Sequence, residues 1–305
     1  MAVVTTKRES YVTGTRGLRR DIPPMMLWEK AKKLGIWNPA DIDFSQDTKD
    51  WNGLNDRQKE YVMTLVSQFI SGEEAVTLDL LPLMKAVADQ GFLEEEMFLT
   101  TFLWEEAKHV DFFSRTIASW GVEQKDLQRY YPPSYMGYFG ETFSQRMNVL
   151  YDDPSPSNIL RASATYNMAI EGILAETGYY SWYMLMDSNN IFPGAREGIR
   201  KLQLDESRHI AYGVWLCSRL IAEDDSLFDH VKEIMDEGLA YLQQSTVEQM
   251  EKSGEIPFDY DYEQVIEFGM SQYSKRLARL EKARGKTLEE LYKNGAEIIQ
   301  EDAIV

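Results

Sequence analysis

The chain has 305 residues, a formal charge of −18 and a composition that is 44% hydrophobic and 12% aromatic, enough to bury a large core. Such acidity argues against nucleic acid and anionic membrane surfaces as partners, since both reward a basic face. A single cysteine, Cys217, permits no internal disulfide, in agreement with a reducing cytoplasm, and no apolar run reads as a signal peptide or is long enough to span a bilayer.

Residues 1–20 carry Lys7, Arg8, Arg16, Arg19 and Arg20 with little apolar patterning and read as a flexible arm, leaving 21–305 as a single domain. Met26, Leu27, Ala31 and Leu34 space a short helix over 23–37, ended by Gly35, and the turn residues of 37–44 follow as a loop. A long helix starts near Asn55, which can cap it while Gln58 reaches back as in a capping box. Its inner stripe, Leu65, Phe69, Gly72, Glu73, Val76 and Leu80, steps by three or four residues and includes one carboxylate. Pro82 should kink or interrupt this helix near Leu81.

The next helix, over 93–120, turns Phe98, Phe102, Glu106, His109 and Phe113 to one side. Shorter pieces fill 121–156, broken by Tyr131-Pro132-Pro133 and by the Pro and Ser run at 153–157. Ser155 and Pro156 then make a cap and first turn. The stripe that follows is Leu160, Ala164, Asn167, Glu171, Leu174, Gly178 and Trp182. After the turn at 189–194, another helix aligns Ile199, Leu202, Glu206, His209, Gly213 and Leu216. Further helices are expected over 227–252, 262–283 and 287–299. Strand-like alternation of useful length is absent, so the predicted class is all-α.

Two of the three histidines sit in the same small motif, Glu106-x-x-His109 and Glu206-x-x-His209. At three residues' spacing, Glu and His lie one above the other on one helix face and can grip a single cation. Each motif is preceded by an inward Glu, Glu73 by 33 residues and Glu171 by 35. A Glu from each of two helices plus Glu-x-x-His from two others is the ligand set of di-iron and di-manganese carboxylate bundles. Four buried carboxylates would neutralise two divalent cations and would repel one another without them. Glu74, Glu105 and Glu176 fall off the stripes and read as solvated groups or as outer partners of the ligands. Asp205, next to Glu206, is placed to accept the outer N–H of a ligating histidine. His230 has no such context and reads as an ordinary surface or partly buried residue.

These motifs, with Gly72-Glu73-Glu74-Ala75-Val76-Thr77-Leu78-Asp79 and Tyr166-Asn167-Met168-Ala169-Ile170-Glu171-Gly172, resemble the ferritin-like superfamily branch that contains the small subunit of class I ribonucleotide reductase. Within that branch they are closest in pattern to the ligand-binding oxidases similar to that subunit. The resemblance implies a ferritin-like bundle with a four-helix metal core. It implies manganese at Glu73, Glu106 and His109 and iron at Glu171, Glu206 and His209, with a di-iron pair as the alternative, and activation of molecular oxygen. It further implies an ether crosslink between Tyr166 and Val76, a bound long-chain fatty acid and a homodimer.

Val76 follows Glu73 by three residues and shares its face, whereas Tyr166 precedes Glu171 by five, which on an α-helix turns it well away. Phe113 occupies the position that holds a radical-storing tyrosine in most reductase subunits, so the resemblance excludes a tyrosyl radical there, although some manganese-iron subunits share that Phe. The end of the chain, Gln300 to Val305, has no tyrosine to relay a radical. The expected function is therefore a two-electron C–H oxidase. The alternatives are a reductase small subunit without a tyrosyl radical, a ferritin-like iron-binding protein, and a lipid desaturase or hydroxylase.

Overall fold

The computed structural model describes residues 10–297, and among these every regular element is helical. The expected lack of a relay tyrosine at residues 300–305 lies outside the described residues, as do the first nine residues of the expected arm. Within the rest of that arm a short helix, α1 (Val12–Thr15), leads to Arg16, whose guanidinium pairs with buried Glu94 at 2.7 Å.

Helix α2 (Pro23–Leu34) opens on two prolines, where a missing N–H costs nothing, and stops at Gly35. The loop that follows contains one 3₁₀ turn, Pro39–Asp41. An element that the apolar spacing did not predict comes next, α3 (Ser45–Gly53). Only Asp47 and Trp51 of this polar segment are buried, which is too sparse a pattern to mark a helix. Asp47 nevertheless has a defined task, accepting the N–H groups of Gly194 and Ala195 at 2.8 and 2.7 Å where a later helix begins.

Helix α4 (Asp56–Asp89) starts with the expected Asn55 and Gln58 capping box. It is not interrupted at Pro82 but runs on for two more turns. Proline deletes one ladder bond, and the burial of Leu80, Leu83, Ala86 and Val87 on either side holds the helix together across the gap. Helix α5 (Leu93–Ser119) packs along α4, and short 3₁₀, π and α pieces, including α6 (Ser144–Asn148), wrap the outside.

The third long rod is composite. Helix α7 (Pro156–Ser163) has Ser155 at its cap position with no side-chain cap bond, and it passes without a break into a π-helix, Ala164–Ala175, and then into α8 (Glu176–Asn189). The fourth rod is α9 (Pro193–Glu223). The peripheral helices α10 (Leu227–Ser253) and α11 (Tyr262–Glu281) cover the π-helix, and α12 (Leu288–Lys293) is followed by a turn at Asn294 and helical residues 295–297, the last two residues of the expected span lying outside the described residues.

Along the four rods the core falls into two apolar clusters. One holds Val62 to Ile70 of α4 with Phe112, Phe113, Tyr179, Trp182 and Leu202, and the other holds Val76 to Val87 with Phe98, Phe102, Tyr166 and Ile210. The acidic and imidazole side chains of all four rods lie in the layer between them.

Candidate metal centre

Glu73 from α4, Glu106 and His109 from α5, Glu171 from the π-helix, and Glu206 and His209 from α9 converge in this layer, each with at most 6% of its surface exposed. Their donor atoms form two groups, Glu73, Glu106, His109 and Glu206 on one side and Glu106, Glu171, Glu206 and His209 on the other, each within 4.8 Å. Glu106 and Glu206 belong to both groups. Glu106 lies 3.4 Å from His109 Nδ1 and 3.2 Å from His209 Nδ1, while Glu206 lies 3.2 and 3.5 Å from the same atoms. The three-and-three division expected from sequence thus widens into two four-residue groups sharing a central pair of carboxylates.

The donor set fits two cations. Among buried polar atoms without a hydrogen-bond partner are His109 Nδ1, His209 Nδ1, Glu106 Oε2, Glu171 Oε1 and Glu206 Oε2, all facing the layer's centre. Buried polar atoms are rarely left so, and a cation between them would take up these lone pairs. Protons carry the same message. Burial pushes Glu73 up to about 8 and Glu171 well above the usual carboxylate range, with the nearby histidines only partly offsetting it. Burial would also raise Glu106, but the imidazoles of His109 and His209 beside it, at 3.4 and 3.2 Å, hold it below that range. Both imidazoles are pushed up despite burial, because each faces several carboxylates.

Each imidazole turns its other nitrogen outward to a carboxylate on the opposite rod. His209 Nε2 meets Glu105 Oε2 at 3.0 Å, and His109 Nε2 meets Asp205 Oδ2 at 3.4 Å. Asp205 thus lies against the outer nitrogen of His109, and Glu105 against that of His209. Arg208 bonds to both carboxylates, and Lys108 Nζ and Trp37 Nε1 reach Asp205 Oδ2 at 2.9 and 2.8 Å. Glu105 precedes Glu106 as Asp205 precedes Glu206, so extending the repeat by one residue identifies both. Of the other carboxylates off the stripes, Glu74 is exposed and Glu176 half-buried. Spacing also missed Asn167 as a partner, although it donates to Glu171 Oε2 at 2.9 Å, and Tyr179, whose hydroxyl reaches Glu73 Oε1 at 3.4 Å.

Tyr166 is fully buried, and its hydroxyl stands 3.2 Å from both the Val76 carbonyl oxygen and Glu106 Oε1. Five residues separate it from Glu171, which would misalign the two on an α-helix. Here they lie in the π-helix, whose i→i+5 bonding brings residues five apart nearly into line. Burial and the surrounding carboxylates hold the phenol well above its ordinary pKa, so it remains protonated. Phe113 is fully buried and stacked at 5.3 Å on Phe69, which in turn stacks on Tyr179. His230 is half-buried and distant in role, with Nδ1 2.7 Å from Arg161 Nη2.

A cavity enclosing about 1020 Å³ of empty space, part of it open to solvent, leads outward from the layer. Its inner end is formed by Glu73, Glu106, Glu171 and Glu206 and its walls include Phe69 and Leu174, with no Lys or Arg among the described lining residues. No helix among the described residues is long and apolar enough to cross a membrane.

The family described as ribonucleotide reductase, small chain, matches residues 24–281. Among solved structures, an R2-like ligand-binding oxidase with aerobically reconstituted Mn/Fe cofactor is 37% identical, with a TM-score of 0.86 over 90% of this chain and 98% of that one. A glycine-to-leucine variant of such an oxidase, with a non-activated Mn/Mn cofactor, is 38% identical with a TM-score of 0.85 over the same shares. With the whole ligand layer inside the matched span, the chain belongs to the ribonucleotide reductase small-chain family, and within it to the R2-like ligand-binding oxidases.

Proposed function

We propose that this protein is an oxygen-activating oxidase holding manganese on the His109 side and iron on the His209 side, and that it joins Tyr166 to Val76 through an ether bond. The single observation that carries the crosslink is the Tyr166 hydroxyl, 3.2 Å from both Glu106 and the Val76 backbone. When bound, the metal pair supplies reduction of dioxygen and the oxidising power to break a strong C–H bond.

The chain's own residues supply position and proton handling. Glu73, Glu106, Glu171, Glu206, His109 and His209 fix the site's geometry, and Asp205 and Glu105 hold the two imidazoles with Nδ1 turned inward. Glu106 accepts the hydrogen bond of Tyr166 and so orients the phenol oxygen toward α4. Phe102 and Phe113, both fully buried, give the layer apolar walls. Forming the ether removes the phenolic hydrogen and one Val76 C–H hydrogen, two electrons in all, with dioxygen as the acceptor.

The cavity supports a long-chain fatty acid as the resident ligand. Its walls offer no cationic side chain, so an acid head group is neutralised only at the metals, while the tail lies against apolar side chains. In this reading the protein is a cytoplasmic homodimer.

Aerobic reconstitution with manganese and iron followed by peptide mass spectrometry tests the proposal. The expected product is a linked pair of peptides bearing Tyr166 and Val76, two hydrogens lighter than their sum, and Tyr166→Phe is expected to abolish it while both metals still bind. Unlinked peptides from fully loaded wild-type protein would rule the crosslink out. The family description favours a second reading, a reductase small subunit without a tyrosyl radical. It requires a large subunit, and support of ribonucleotide reduction by any large subunit from the same genome is the observation that would establish it. A multi-subunit cage on gel filtration would instead point to iron storage.

A further inference from the structure

The two histidines are held unequally. Glu105 Oε2 accepts from His209 at 3.0 Å, and the only other bond to that carboxylate among the described residues is from Arg208, on Oε1. Asp205 Oδ2 is instead divided among Trp37 at 2.8 Å, Lys108 at 2.9 Å and His109 at a long 3.4 Å, with Arg208 on its other oxygen. A carboxylate whose charge is already spent on two cations and an indole polarises its histidine less than one with a single cationic partner. His209 is therefore the stronger donor of the two, and the remaining ligands match in number, one terminal and two shared carboxylates on each side.

Iron(II) stands above manganese(II) in affinity for the same donors, and its advantage grows with donor strength. Resting on the dinuclear reading above, we propose that the unequal hydrogen bonding of Glu105 and Asp205 sorts the two metals, directing iron to His209 and leaving His109 for manganese. Glu105, Asp205 and Trp37 are then positioning residues that set metal specificity without touching a metal.

The test loads metal-free protein anaerobically with equimolar manganese(II) and iron(II) and reads each position from anomalous scattering at the two metal edges. Wild type is expected to place iron at His209 and manganese at His109. Glu105→Gln retains the shape and an amide oxygen to accept from His209 but loses the charge and the Arg208 bond, and is expected to lower the iron preference at His209 about tenfold with both positions still filled. Trp37→Phe removes one donor from Asp205 and is expected to raise the iron share at His109. It lies on a different segment and decides the question if the Glu105 variant does not fold. An unchanged metal distribution with both positions full overturns the sorting role. Wild-type protein that fails to fill both positions instead overturns the dinuclear reading, and the sorting role with it.

Discussion

Glu73 titrates near 8 instead of 4.5 because burial disfavours its anion more than His109 restores it. At neutral pH the metal-free side chain is therefore protonated, and a cation must displace that proton. Below about 8, binding releases a proton from Glu73 and apparent affinity climbs with pH, whereas above it this contribution levels off. Calorimetric titrations in buffers of different ionisation enthalpy are expected to show more protons released at pH 6.5 than at pH 9, and Glu73→Gln should remove its share of the difference, with Glu171 and the two imidazoles supplying the rest. Equal release at both values would mean that Glu73 is already ionised. The stability sign is opposite to that of a salt-bridged acid. With the folded pKa above the unfolded one, Glu73 costs the metal-free fold nothing below about 4.5, and it costs progressively more as pH rises from there toward 8.

At the scale of the element, the π-helix Ala164–Ala175 is where local sequence and site geometry part company. Periods of 3.6 residues bring Glu73, Glu106, His109, Glu206 and His209 into one layer, because α4, α5 and α9 are regular. Glu171 was legible for the same reason, its stripe being set partly by the regular turns of α7 before it. Tyr166 was not, since a residue per turn is added within a span that no propensity distinguishes from α-helix. Helix α3 was missed because its inward residues are too few, and Pro82 misled because tertiary burial overrides one lost ladder bond.

The π-helix is clamped by α9 at Gly213, where a Cβ would fall 2.1 Å from that of Asn167, the residue that donates to Glu171. Gly213→Ala should thus push on a ligand's partner as well as overpack the core, costing about 1–3 kcal/mol. Urea unfolding of the loaded protein is expected to show a lower midpoint together with weaker binding on the His209 side. Gly137→Ala, with nothing within 4 Å of the added carbon, should leave both unchanged or slightly improved. Equal midpoints for the two variants would show that α9 yields at no cost.

Across the whole molecule the ligand layer is a polar seam between two apolar clusters, and its stability depends on what fills it. Four carboxylates and two imidazoles meet there with at most 6% exposure, so metal-free protein must hold protons on acids whose anions would otherwise repel. Unfolding releases these groups to water, where the preformed site no longer exists. Metals that bind the folded chain therefore stabilise it by mass action, by about 2.7 kcal/mol per site at a hundredfold excess over Kd. Two filled sites should raise Tm by several degrees or more, since about 1 kcal/mol shifts a domain of this size by roughly 2 °C. Scanning calorimetry of apo, manganese-loaded, iron-loaded and mixed protein under nitrogen measures this directly, with the iron-loaded form expected to melt highest, because iron(II) binds the same donors more tightly than manganese(II), and the mixed form expected to fall between the two single-metal forms. Glu106→Gln, which weakens a carboxylate shared by both groups, should shrink the rise for every metal combination, whereas Glu73→Gln should spare the His209 side. An apo protein melting at the temperature of the loaded form would mean that the seam is satisfied by protons alone.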